Sequence, residues 1–153
     1  MKTEVDSSQK KLPYPIIITQ TIIRENERLN NDKKEIASDL LQFESLVQKP
    51  DVKMTQINNT VFLVKTNQNS KACTITVFNM DTKENYANNI VKIIDKLTKN
   101  NIKRGAFGGA SSDDLEAYQM AKQKSTIPMG ISQTKDKIIC IFDASITLNK
   151  REK

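Results

Sequence analysis

Thr60-Val61-Phe62-Leu63-Val64-Lys65-Thr66 and Ala72-Cys73-Thr74-Ile75-Thr76-Val77-Phe78 are two runs of β-branched and aromatic residues, separated by the polar stretch Asn67 to Lys71. Such runs read as strands, because branched side chains pack well on a pleated, half-buried surface. The spacer suits a hairpin and is too short for a parallel crossover. A third run lies just upstream. Asp51 to Ile57 alternates through Val52 and Met54 before Ile57 slips phase, and Asn58-Asn59 is a turn signal. The three runs predict an antiparallel meander.

Downstream, Asp81 or Thr82 is placed to cap a helix. Its apolar residues Ile90, Val91, Ile93, Ile94 and Leu97 form a wide face suited to covering a sheet, and Asn100-Asn101 ends it. Ile102 to Ala110 reads as a short Gly-rich strand. Ser111-Ser112-Asp113-Asp114 opens a helix running to about Lys124. Met129 to Gln133 and Lys137 to Ile146 then predict a closing hairpin around Thr134-Lys135-Asp136. Ile138 to Phe142 is continuously apolar, the pattern of a strand buried on both faces.

Upstream, Pro13 and Pro15 argue against helix at the chain's entry, and Ile16 to Thr19 predicts a short first strand. From Thr21 to Gln48 the spacing predicts a long helix ended by Pro50. Ile22, Leu29, Ile36 and Phe43 recur every seven residues, while Leu40 and Val47 widen the stripe in the second half. The helix either lies on the sheet or projects to meet partner helices. Asn30-Asn31-Asp32 could instead divide it in two. The expected order is β–α–β–β–β–α–β–α–β–β. The fold class is α/β (α+β): a mixed, mostly antiparallel central sheet with helices on both faces and a long N-terminal helix. The organisation is an extended polar arm over 1–15, one domain over 16–147 and a charged tail over 148–153.

Composition excludes much chemistry. The 153 residues include no histidine, so neither a serine nor a cysteine nucleophile has an imidazole to activate it. Cys73 and Cys140 sit far apart in apolar runs, without metal-ligand spacing, and read as small core residues. No metal and no cofactor is expected. The formal net charge is +6. The lysines are dispersed, and Trp is absent, so the sequence predicts no specific nucleic-acid partner. Apolar runs of four or five residues predict no membrane partner, and the N-terminus has no signal-peptide pattern. Gly105 to Ser112 is the segment most like a phosphate cradle. It lacks the P-loop Lys-Ser/Thr, carries Asp113 and Asp114 next to it, and reads as a tight strand-to-helix passage.

The element order resembles that of the GNAT acetyltransferases, over roughly Ile16 to Thr147. The resemblance implies that Ala72–Phe78 diverges from Ile102–Ala110, opening a cleft for the pantetheine arm of acetyl-CoA. It also implies a pyrophosphate-binding loop of the pattern Gln/Arg-x-x-Gly-x-Gly/Ala before the following helix, and a general-acid tyrosine, for which Tyr118 is the candidate. This chain has Asn79-Met80-Asp81-Thr82-Lys83-Glu84-Asn85 at that loop, with no glycine and two acids where a diphosphate would sit. The sequence therefore favours a non-enzymatic structural or assembly protein. The resemblance implies a degenerate GNAT-like domain of the kind found in small virion proteins of tailed bacteriophages, in tail, neck or baseplate. Its partners would be other proteins of a large assembly or further copies of itself. Tyr14, Pro15, Ile22, Leu29 and Ile36 are the expected partner contacts. Its location would be the virion, with the bacterial cytoplasm as the alternative. Two other functions stay open: an acetyl-CoA-dependent N-acyltransferase with an atypical loop, using Tyr118, and a basic nucleic-acid-binding accessory protein.

Overall fold

A computed structural model describes residues 11–146. The chain begins with two helices, α1 (Tyr14–Arg28) and α2 (Lys33–Val47). The meander follows as β1 (Val52–Ile57), β2 (Thr60–Asn67) and β3 (Ala72–Asn79). Helix α3 (Lys83–Lys99) leads to β4 (Arg104–Ser111), a 3₁₀ turn (Ser112–Asp114) and α4 (Leu115–Lys124). A hairpin of β5 (Met129–Gln133) and β6 (Lys137–Asp143) closes the domain. The six strands form one sheet in the order β1-β2-β3-β4-β6-β5. Every neighbouring pair is antiparallel except β3 and β4. The fold is thus a mixed α+β domain with a mostly antiparallel sheet, as the strand pattern predicts.

The sheet has helices on both faces, and β2 shows how. Phe62 and Val64 join the main core with α3 and α4, while Val61 points the other way into a smaller cluster with Ile17, Ile18 and Ile22 of α1. Alternate residues of a strand face opposite sides, so one strand supplies both layers. The main core is the larger, built on Tyr118, Phe62, Phe107 and Phe142.

Three expectations are corrected. Ile16 to Thr19 is helical, within the first turns of α1. Proline in a helix's first turn loses no needed hydrogen bond and presets φ, so Pro15 starts the helix where it was expected to forbid it. The long helix is two helices. Asn30 adopts φ 60°, and the Asp32 side chain accepts hydrogen bonds from the Lys34 and Glu35 amides, starting α2 afresh. The observed order therefore opens α–α rather than β–α. Third, β6 is buried on one face only. Ile138, Cys140 and Phe142 are buried, whereas Ile139 and Ile141 are 45% and 51% exposed. The helical pair α1–α2 lies over β1, β2 and β3, and among the described residues no helix packs on Ile139 and Ile141.

The expected arm over 1–15 is partly helical from Tyr14, and its first ten residues lie outside the described residues, as does the tail over 148–153. Among the described residues, no helix is long and apolar enough to cross a membrane.

Candidate functional site

The parallel ladder between β3 and β4 runs only from Ala72–Arg104 to Ile75–Phe107. Beyond it β4 is irregular between Phe107 and Ala110, where its register with β6 shifts. The two strand ends frame a cleft of about 440 Å3. Thr76, Val77 and Asn79 form one side and Gly108, Ala110 and Ser111 the other. α1 contributes Thr21, Arg24, Glu25 and Arg28, and α2 contributes Asp39, Gln42, Phe43 and Leu46.

Glycine matters at two points of β4, for different reasons. A Cβ on Gly105 would lie 2.5 Å from Phe142 Cε2 and 2.7 Å from Cys73 Sγ, so only glycine lets those side chains pass beneath the strand. A Cβ on Gly108 would meet nothing within 4 Å, so its glycine leaves the cleft wall low. The Gly-rich segment is therefore mainly strand, and Ser111 caps the 3₁₀ turn by accepting from the Asp113 amide.

Charged groups span the cleft mouth. Arg28 grips Glu25 through two bonds of 2.7 and 3.2 Å. Lys137 Nζ lies 3.6 Å from the same carboxylate, and Asp113 lies 4.0 Å from Arg28. This network joins the end of α1 to β6 and to the 3₁₀ turn before α4. The Arg28 hydrogen bond, followed by the Arg28 and Lys137 charges, holds the Glu25 carboxyl below its ordinary range. Asp114 shifts the other way. Burial, and then the Asp113 charge beside it, pushes its carboxyl up. Arg24 donates to the Asn79 carbonyl at 3.0 Å and ties α1 to the end of β3. Among the described residues, no group of three acidic or cysteine side chains converges to hold a metal ion.

The loop from β3 to α3 is held from within. Asp81 Oδ2 accepts from the Asn59 amide at 2.8 Å and from Asn89 Nδ2 at 2.7 Å, with Thr60 Oγ1 at 3.0 Å. Thr60 and Asn89 are fully buried, and the carboxylate completes a network in which Asn89 Nδ2 also donates to Thr60 Oγ1 and Thr60 Oγ1 lies 2.7 Å from Asn79 Oδ1. Thr82 then caps α3 by accepting from the Asn85 amide. The acid in this loop is thus a structural tether.

Behind the cleft, Tyr86 and Tyr118 close the space between α3 and α4. Their hydroxyls lie 2.7 Å apart and their rings meet edge-on at 5.5 Å, with Phe107 also edge-on to Tyr118 at 5.7 Å. Tyr118 is 0% exposed. It does not border the cleft; Tyr86 does. Burial pushes both phenols well above their ordinary value.

The expected partner contacts separate. Ile22 is buried in the protein's own smaller core, and Ile36 is half-buried and packs against it. Tyr14 and Leu29, each 41% exposed, lie at opposite ends of α1. Tyr14 and Pro15 border a shallow hollow between α1 and α2, lined also by Ile18, Leu40 and Val47. Sequence reasoning missed Arg24, Glu25, Arg28 and Lys137. Their only sequence signal is the helical spacing that puts Glu25 and Arg28 on one side of α1. Comparison with family models, with curated proteins and with solved structures finds no match for this chain.

Proposed function

We propose that this chain is a non-enzymatic assembly protein that uses a GNAT-like domain as an interaction scaffold, in the tailed-phage virion setting the resemblance implies. The observation that carries this reading is the Tyr86–Tyr118 pair. In the GNAT arrangement an acyl carrier's arm passes between the two diverging parallel strands and lies along the helices behind them. Here the part of that space between α3 and α4, behind the strands, holds two aromatic rings joined by a buried hydrogen bond. The only tyrosine on α4 is consumed by that contact, so it has no path to a ligand. The adjacent loop uses its carboxylate to bind its own chain, where the family uses bare amides to bind diphosphate.

Two measurements test the reading. Calorimetry with acetyl-CoA is expected to show no heat up to millimolar concentration, and micromolar binding would overturn the proposal. The chain is also expected to sediment with a large particle from its native source; recovery solely as a free small protein would count against an assembly role.

A specific observation favours one second reading, an N-acyltransferase: the β3–β4 ladder stops after Ile75–Phe107 and leaves a cleft there. Under that reading the acyl acceptor would occupy the cleft, and Tyr86→Ala would be needed to open it from behind. The calorimetry separates the two.

A further inference from the structure

The sheet has two edges, and they differ. β1, at one end, carries Lys53 and follows Asp51, and Gln56 Nε2 reaches past it to the Leu12 carbonyl at 2.7 Å. Leu12 in turn donates its amide to Asn59 Oδ1. Charge and a crossing segment are the usual ways of blunting an edge. β5, at the other end, is Met129-Gly130-Ile131-Ser132-Gln133, with no charge and no proline. Among the described residues no strand lies outside it.

The direction of its peptide groups follows from its pairing. The Thr134 amide donates to the Lys137 carbonyl, and the Asp143 amide donates to the Pro128 carbonyl. In an antiparallel ladder these inward positions alternate, so Gly130 and Ser132 also turn toward β6. Met129, Ile131 and Gln133 therefore direct their N–H and C=O groups outward. This set is symmetric about Ile131. A second β5 laid antiparallel would pair Ile131 with Ile131, and Met129 with Gln133 on each side, all as hydrogen-bonded pairs. Gly130 would face Ser132, two small residues at the closer spacing. No like charges meet anywhere in this register. The same arrangement would continue the bare sheet surface of Ile139 and Ile141 across the axis.

We propose that β5 is the interface of a twofold-symmetric dimer, in which a second copy of this chain adds its β5 antiparallel to the first with Ile131 on the axis. The inference stands apart from the assembly reading, because a particle-bound chain and a free one carry the same edge.

The full chain tests it. Sedimentation at high micromolar concentration is expected to show a dimer, and a monomer there overturns the proposal. Gln133→Pro removes one outward amide while keeping the intrachain ladder, and its side chain is exposed. It is expected to weaken the dimer by about tenfold to a hundredfold, since each copy loses a hydrogen bond. Thermal melting of the variant shows whether the fold is retained; a folded variant that dimerises as tightly as the parent overturns the proposal.

Register is tested by cross-linking. Gly130→Cys and Ser132→Cys proteins should each resist disulfide formation alone and form it when mixed, because position 130 faces position 132 of the other copy. A Cβ at Gly130 meets Ile141 at an ordinary 3.5 Å, so the variant is accommodated. Cross-linking of either variant alone, with none in the mixture, contradicts this register. Protection of the Ile131 amide in a monomer would show instead that the chain covers its own edge, and would also overturn the proposal.

Discussion

The hydroxyl of Tyr86 lies 2.7 Å from that of Tyr118, joining the first turn of α3 to α4 across the floor of the cleft. Both residues are buried, so each hydroxyl depends on the other for its hydrogen bond. Tyr86→Phe should therefore destabilise the protein by about 1–3 kcal/mol, since it strands the Tyr118 hydroxyl. The double variant Tyr86→Phe/Tyr118→Phe should recover most of that loss, because no polar group is then left unpaired. Urea denaturation of the two singles and the double closes the cycle; simple additivity would refute the coupling.

Asp81 should behave as a tether. Asp81→Ala removes the carboxylate that accepts from the Asn59 amide and one of the two acceptors of Asn89 Nδ2, at a cost of about 1–3 kcal/mol. Hydrogen exchange should locate the loosening at the β3–α3 loop and the β1–β2 turn. Uniform loosening of the whole domain would contradict a local role.

Gly105 and Gly108, two of the three glycines of β4, should respond differently. Gly105→Ala forces a methyl against Phe142 and Cys73 and should cost about 1–3 kcal/mol. Gly108→Ala, with open space before it, should cost under about 1 kcal/mol, the ordinary range for a surface strand position. Thermal melts of both variants check the difference.

The cleft carboxyls should give pH effects of opposite sign. The folded pKa of Glu25 is lowered, so its contribution is present above the unfolded pKa and fades as pH falls through the folded one. The folded pKa of Asp114 is raised, so its ionisation costs stability as pH rises from the unfolded value past the folded one. Glu25→Gln should thus lower the melting temperature at neutral pH and hardly in strong acid. Asp114→Asn should raise it at neutral pH and hardly in strong acid. Identical profiles for the two variants would contradict the assignment.

Cys73 and Cys140 should be silent while the protein is folded. Burial pushes their thiols up to about 11 and about 12, so little thiolate exists at neutral pH. A thiol reagent should label neither until denaturant is added; rapid labelling of the native protein would contradict their burial.

The strands were legible because their signal is local. Thr60–Thr66 and Ala72–Phe78 alternate or run apolar within a few residues of tight Asn-rich turns, and the pairing follows. The entry helix was not, because Pro15 has opposite meanings inside a helix and at its start. The bare face of β6 was hidden for another reason. Ile139 and Ile141 look like core in a sequence, and only the position of α1–α2 over the neighbouring strands reveals that no described helix covers them. The ionic network at the cleft was invisible, since Glu25, Asp113 and Lys137 come from three distant segments.

The smaller core beneath α1 and α2 has a mechanical consequence. No residue of α2 is buried, and the helix is held by partly covered side chains such as Ile36, Leu40 and Phe43, with Asn26 bonded to Asp39. The main core lies on the opposite side of the sheet and shares none of these contacts. Helix α2 is therefore held more loosely than α1, whose Ile17, Ile18, Ile22 and Asn26 are buried, and its amides should exchange well before those of β2 and α3. The cleft is walled on one side by this helix, so that wall should be the first part of its lining to open, while the strands that form its base stay paired.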